Sequence, residues 1–577
     1  MTTTPRATLR SLPDHVPVLI SGGGPSGLFL AIDLAGRGIQ SLVIEPRESI
    51  DPTRPKAKTT NARTMSHLRR VGLADALRDA APLSAAYAED VVFCSSLIGY
   101  ELKRFRNAFQ VARGRYELQP EAGQQVSQPV VEEVLRRGID GSARARLATG
   151  LRVERVDPSG ESPRALVVDE RGDSRWIGCD FLVGADGGSS VVRRELGIAL
   201  EGGSAGKSNF NFLFRSERLA DVVTLGPAVQ YWVLNPSAAG MIGRMDLDST
   251  WWVIVQNVEL DANPDPHAVV RELTGADVDV DVIATDRWTA RMLLAQRYGR
   301  GRVLLIGDAV HLNPPWGGHG FNTSIGDAAN LAWKIAAEVH GWAGTALLPS
   351  YEDERRPVAA RTIADAAANG RVLASDFAQS ILGEDSPAGE SARAAMARDL
   401  DVKVSEFHSL GLVLGYQYSD SPIVVHDGSP APVEDPVRYT ASTRPGSLLP
   451  HAWLGDTSLY DALGPWFTLI VNTADRRLDA FVRSAAAAEE ATGIPLAVLP
   501  VDFAAHPDVP WHSAAILVRP DQHVSWRGSD PDAVGDALAA SSGRRTSGDR
   551  DTDADTDVRR GTSAAARLEE AADHGRR

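Results

Sequence analysis

Apolar residues along this chain fall into two rhythms. Unbroken runs read as buried strands: residues 16–20 (Val-Pro-Val-Leu-Ile), 41–44, 165–168, 181–183 and 303–306. Segments with apolar positions three or four apart read as helices. The first carries Leu28, Leu30, Ala31, Leu34 and Ala35 and stops at Gly36 or Gly38. A second runs through Met65, Leu68, Val71, Leu73 and Leu77. A third covers residues 130–137, with Pro129 near its first turn. A fourth carries Ile325, Ala328, Ala329, Leu331, Trp333 and Ile335, with Asn322 or Thr323 as its expected cap. Aromatic and β-branched runs at 210–215, 229–233 and 251–255 predict a sheet between the second and third glycine-rich turns, and residues 97–109 alternate as a strand would. After Ala359 come helices, a polar loop at 383–390 and a proline-rich linker at 430–436. Residues 513–527 read as two strands joined by a turn, and from Ser541 the composition predicts disorder.

At 577 residues the chain has room for two or three cores, with 43% hydrophobic and 23% charged residues, as in soluble globular proteins. A net charge of −15 argues against nucleic acid or anionic membrane as partner. Cys94 and Cys179 have no metal or redox spacing, which suits a reducing cytoplasm and predicts no metal site. The first fifteen residues lack an apolar signal core, and no apolar run is long enough to span a bilayer.

Chemistry concentrates where strands meet glycine. Gly22, Gly24 and Gly27 form G-x-G-x-x-G between the first strand and first helix, with Pro25 and Ser26 inside it. The next strand ends in Glu45. That order predicts a dinucleotide site, with pyrophosphate at the helix start and Glu45 on a ribose. A second strand-turn-helix places Asp186-Gly187 at a strand end, where an acid and free amides suit a diphosphate region. A third ends at Gly307-Asp308, whose carboxylate can accept from a ribityl or ribose hydroxyl. The loop that follows, Pro314-Pro315-Trp316-Gly317-Gly318-His319-Gly320, is stiff yet bare enough for a flat ring to lie against it. The amino end of the helix after it would favour negative charge on that ring. Lys56, Lys58 and Arg63, in a basic polar stretch, could meet phosphate or an acidic substrate.

These three motifs, in this order and spacing, resemble the class A, single-component flavoprotein monooxygenases, the aromatic-hydroxylase group. The segment Ser350 to Ala359 (SYEDERRPVA) is also family-like. The family's usual glutamine between the loop glycines is His319 here, and its arginine before Ala57 is Lys56. The resemblance implies FAD, held by Gly22, Gly24, Pro25, Ser26, Gly27, Glu45, Lys56, Gln128, Val153, Asp186, Asp308, Pro315, Gly318, Gly320, Phe321 and Asn322. It implies NADPH or NADH as transient co-substrate, and oxygen transfer through a flavin C4a-hydroperoxide to a phenolic or polyketide-type aromatic ring. Pro315, Trp316, Arg215, Tyr231 and Arg244 are candidates beside the substrate, with Trp232 and Trp252 as further lining.

The implied fold is α/β: a Rossmann-like FAD domain of glutathione-reductase type, an interleaved β-sheet substrate domain and a C-terminal thioredoxin-like domain of the phenol-hydroxylase branch. The expected boundaries are 14–200 and 296–425 for the FAD and helical parts, and 201–295 for the substrate sheet. The third domain spans 440–535, and the tail 541–577. No cysteine follows Cys179, so the third domain cannot perform thiol–disulfide chemistry. A homodimer fits the resemblance. The same motifs would also serve a natural-product cyclase that keeps FAD without redox chemistry.

Overall fold

The computed structural model describes residues 7–54, 56–84, 86–160, 162–371 and 374–544. The first unit is β1 (His15–Ser21), α1 (Pro25–Gly36) and β2 (Ser41–Glu45). Helix α2 (Ala62–Arg70) follows; the helix expected to reach Leu77 breaks at Gly72, whose φ of +75° no α-helix accommodates, and resumes at Ala74. Strand β3 (Val91–Cys94) leaves for a second sheet. Helix α3 (Gln128–Asp140) and strands β4 (Ala145–Thr149), β5 (Leu151–Asp157), β6 (Arg164–Asp169) and β7 (Ser174–Gly184) then return to the first.

The second sheet adds β8 (Ser208–Arg215), β9 (Gln230–Val233), β10 (Gly240–Arg244) and β11 (Thr250–Val258). After α4 (Pro266–Thr274) comes its edge strand, β12 (Asp281–Trp288). The chain crosses back through β13 (Val303–Leu305) into two long helices, α5 (Gly320–Val339) and α6 (Ser350–Asn369).

In the first sheet β13, β7, β1, β2 and β4 run parallel and adjacent, with β6 antiparallel to β7 and β5 antiparallel to β6. Register puts Ser21 beside Gly184 and Ile44, and Gly184 beside Leu305. Three glycine turns therefore leave the sheet along one edge. The order reverses around β1, the position at which open parallel sheets bind ligands beyond their carboxyl ends.

The second sheet is antiparallel except where β3 joins β9 in parallel. Both of its faces are buried. One carries Phe210, Phe212, Phe214, Tyr231 and Trp251 against α4; the other carries Leu213, Trp232, Met241, Trp252 and Ile254 together with Trp316.

The last unit is β14 (Phe467–Asn472), α7 (Leu478–Thr492), β15 (Leu496–Val501), β16 (Ala515–Val518), β17 (Val524–Gly528) and α8 (Val534–Ser541). A parallel βαβ crossover followed by an antiparallel hairpin and a closing helix makes the thioredoxin-like arrangement. Trp333 and Ala337 of α5 share its core with Phe467 and Phe481. The body does not end at Ser541. Ser541 and Ser542 are fully buried, and Ser542 O accepts from Gly344 N at 2.8 Å. The boundary moves because Gly543 fits against Gly344, where a β-carbon on Gly344 would stand 2.1 Å from the Gly543 carbonyl carbon. Residues 545–577 of the expected tail lie outside the described residues.

Candidate active site

Each glycine of the first turn has its own task. Gly22 has φ +109°, and a β-carbon there would lie 2.3 Å from Ala185 O, so β1 and β7 can separate only around a bare backbone. A β-carbon on Gly27 would meet Gly22 O at 2.1 Å, which seats α1 tightly on the turn. Gly24, the residue before α1, meets nothing within 4 Å; its open side faces away from protein. Pro25 occupies the first helical turn. The free amides of α1 therefore border an empty approach, as a pyrophosphate requires. Glu45 is buried at the end of β2, where Oε2 accepts from Gly23 N at 2.7 Å and Oε1 from Arg47 Nε at 2.7 Å. It braces the turn from the end of β2.

Two further carboxylates open onto the same edge. Asp186 Oδ2 accepts from Val191 N (2.8 Å) and Val192 N (3.2 Å), at the short helix that Ser190 caps through Arg193 N. Its Oδ1 is buried with no partner, an acceptor awaiting a donor. Burial pushes the Asp186 carboxyl up. Asp308 is accessible yet recessed, because it lies in the wall of a cleft of about 640 Å³ with Lys56, Gly188, Ser189, Arg287, Arg291 and Leu312. Burial raises its carboxyl as well, with His311 and Lys56 opposing. An orphaned acceptor, a recessed carboxylate and an unobstructed helix start match the hydroxyl-rich, anionic backbone of FAD. Among the described residues no cluster of His, Cys, Asp and Glu could hold a metal ion.

The segment from Gly307 into the glycine loop is held firmly. Gly307 N donates to Asp327 Oδ2 (3.1 Å), which also bonds His311 Nε2 (2.9 Å), while Oδ1 accepts from Arg355 Nε (2.9 Å). Burial opposes the Asp327 charge, but His311 and Arg355 hold its carboxyl below the usual range. Gly317 and Gly318 have φ of +78° and +66°, and a β-carbon on Gly318 would meet Thr59 Oγ1 at 2.8 Å. His319 is buried, with Nε2 unpartnered, and burial lowers it to about 4, so it is neutral.

The expected cap is absent: α5 starts at Gly320, and Asn322 lies inside its first turn. Its Oδ1 accepts from Asn61 N (3.0 Å), and its Nδ2 donates to Thr59 O (3.2 Å) and Gly318 O (2.7 Å). Thr323 Oγ1 donates back to His319 O at 3.0 Å. The helix start thus keeps its backbone amides free, and Asn322 stitches the 59–61 segment to the glycine loop. Gly320 and half-buried Phe321 open the same turn. Pro315 is exposed beside it, and Trp316 is buried, its ring filling the space that a β-carbon on Gly370 would need. Gln128 N donates to Ala57 O at 2.9 Å, while its side chain turns to Glu132. Val153 is buried in β5, which packs beside β2, the strand that ends at Glu45.

Of the substrate candidates, the structure brings Trp232, Trp252 and Trp316 together on the sheet face turned to the loop. Tyr231 points to the opposite face, and its hydroxyl donates to Gly226 O. Arg215 is exposed, 3.8 Å from Asp281. Arg244 is spent on the carbonyls of Asp246, Leu247 and Asp248 and on the Trp251 ring. Strand alternation explains the Tyr231 and Trp232 outcome: neighbours face opposite ways. Asp327, His311 and Arg355 are the residues that sequence reasoning missed. The available signal was an aspartate on the apolar stripe of α5.

Residues 15–366 match the family described as FAD binding domain, and residues 442–545 match aromatic-ring hydroxylase, C-terminal. A phenol 2-monooxygenase of Pseudomonas sp. is 32% identical over 561 residues, covering 88% of this chain and 89% of its own. A 2,4-dichlorophenol 6-monooxygenase of Cupriavidus pinatubonensis is 32% identical over 579 residues, covering 91% and 95%. The crystal structure of the flavin-dependent monooxygenase PieE, in complex with FAD and substrate, superposes with a TM-score of 0.84 at 29% identity, over 92% of this chain and 100% of that one.

Proposed function

Because the chain belongs to the FAD-dependent aromatic-ring hydroxylases, a family of flavoprotein monooxygenases, we propose that it hydroxylates a phenolic or polyketide-type aromatic ring with NADPH or NADH as reductant. The observation that carries this reading is the convergence of three glycine turns and two accepting carboxylates beside an aromatic sheet face. Electron uptake and oxygen activation are supplied by FAD when bound.

The protein's share is binding, orientation and exclusion of water. The α1 amides and open Gly24 receive the pyrophosphate. Asp186 and Asp308 accept hydroxyls of the cofactor chain. The amino end of α5 favours negative charge on the ring system, a contribution of roughly 0.3–1 kcal/mol. Trp252 and Trp316 form an apolar wall beside the glycine loop that would keep an aromatic substrate dry and oriented, with Trp232 packed behind them against Phe93.

Anaerobic reduction by NADPH with and without candidate phenols, followed by oxygen and product mass, tests the reading. One added oxygen atom supports hydroxylation; an isomeric product formed without NADPH would replace it by the non-redox cyclase. Two buried free thiols fit work in the reducing cytoplasm. No helix among the described residues is long and apolar enough to cross a membrane. A homodimer, expected for the family, is checked by light scattering. Nucleic acid is not expected to bind a chain of charge −15.

A further inference from the structure

We infer that Lys58 determines substrate selection: its ammonium group pairs with an ionised oxygen, phenolate or carboxylate, carried by the aromatic ring lying along the Trp252 face. This rests on the hydroxylase reading and deepens it.

Lys58 precedes Thr59, the residue packed on Gly318 of the glycine loop, and its carbonyl accepts from Val126 N at 3.0 Å. The backbone is therefore fixed while the side chain crosses toward the second sheet. Its Nζ stands 4.5 Å over the Trp252 ring, which is 3% exposed and shares its face with Trp232 and Trp316. Among the described residues no carboxylate pairs with it. Asp286, which the preceding loop reaches, is bound by Arg54 at 3.2 Å.

Lys58 is half-buried, whereas the fully buried lysines are compensated: Lys334 lies 2.6 Å from Glu354 and Lys403 2.8 Å from Glu406. Burial lowers the Lys58 ammonium to about 8, and no neighbouring charge restores it. A desolvated cation without an anion is costly, and such groups gather where a ligand supplies the missing charge. A second orphan shares the sheet face. Phe210 and Phe212 point away, so Asn211 points toward the loop, and its Oδ1 is buried without a donor. An aromatic ring bearing one ionised oxygen and one neutral hydroxyl would answer both.

The test uses FAD-loaded wild type, Lys58→Met and Lys58→Arg. Each is titrated with 2,4-dichlorophenol, its methyl ether and 2,4-dichlorobenzoate, with the flavin absorbance change giving Kd. A charge-assisted contact predicts that Lys58→Met keeps FAD, loses roughly 30-fold in affinity for one acid and leaves the ether within about twofold. Lys58→Arg should restore most of the loss. The acid that suffers identifies phenolate or carboxylate. Failure of both acids to bind wild type, equal losses for acid and ether, no loss for either acid, or loss of FAD from Lys58→Met would each overturn the assignment. These are binding readouts. The hydroxylase reading fails separately, when a ring that binds wild type gains no oxygen.

Discussion

Gly24→Val should separate cofactor binding from folding. Gly24 sits at φ −77° and ψ 179°, backbone that any residue adopts, and a β-carbon there meets nothing within 4 Å. The folded protein therefore loses little. Glycine before a helix is modestly preferred over an apolar residue, so the cost is about 0.5–1 kcal/mol. In a chain this large that lowers the melting temperature of the apoprotein by about 1 °C or less. FAD fares differently. The branched carbons enter the space through which phosphate oxygens must reach the α1 amides, and each charge-assisted bond lost costs about 1.5–3 kcal/mol. Losing one predicts an affinity about 10-fold to 100-fold weaker, and losing two weakens it by about 100-fold or more. Gly22→Val is the counter-case. Its side chain would collide with Ala185 O at 2.3 Å and demand φ +109°, so it should destabilise the apoprotein severely. Gel-filtered protein, flavin absorbance per chain and apoprotein melting curves read both quantities. Full occupancy in a folded Gly24→Val protein refutes the placement of the pyrophosphate. So would an apoprotein that loses as much stability as Gly22→Val.

Asp308→Ala should leave the fold intact and empty the flavin site, because that carboxylate lines the cleft and accepts no hydrogen bond among the described residues; retained yellow colour after gel filtration would argue otherwise. Glu354→Gln breaks the buried cluster of Arg519, Lys334, Asn330 and Ser421 and should cost about 3 kcal/mol at pH 7, measured by denaturant unfolding. Burial opposes the Glu354 charge, yet Arg519 and Lys334 hold its folded carboxyl at about 2 against 4.5 in the unfolded chain. Its contribution is thus complete above pH 4.5 and lost as pH falls toward 2, so the variant's melting temperature should fall less steeply than wild type across that window. Truncation after Arg544 should leave the melting temperature nearly unchanged, since residues 545–577 have a composition that builds no core, whereas truncation after Ala540 should lower it by several degrees.

The nucleotide half of the site was legible in the sequence because its determinants are local. Gly22, Gly24, Gly27, Glu45, Asp186 and Asp308 each sit within a few residues of a strand end. Parallel register then carries those ends to one edge, as Ser21, Gly184 and Leu305 do. Spacing alone encodes such turns. The substrate half depended on tertiary structure. With the second sheet buried on both faces, no polar alternation tells which side Tyr231 or Trp232 takes; the distinction comes from which layer covers each face. Asn322 reads as a cap until Asn61 arrives across 261 residues to bond it. The clamp of Gly307, His311, Asp327 and Arg355 adjoins a buried cluster reaching Arg519 and Asp521 in the third domain. Each charge there looks like an ordinary surface residue in the sequence. Only folding removes the water that makes its partners necessary.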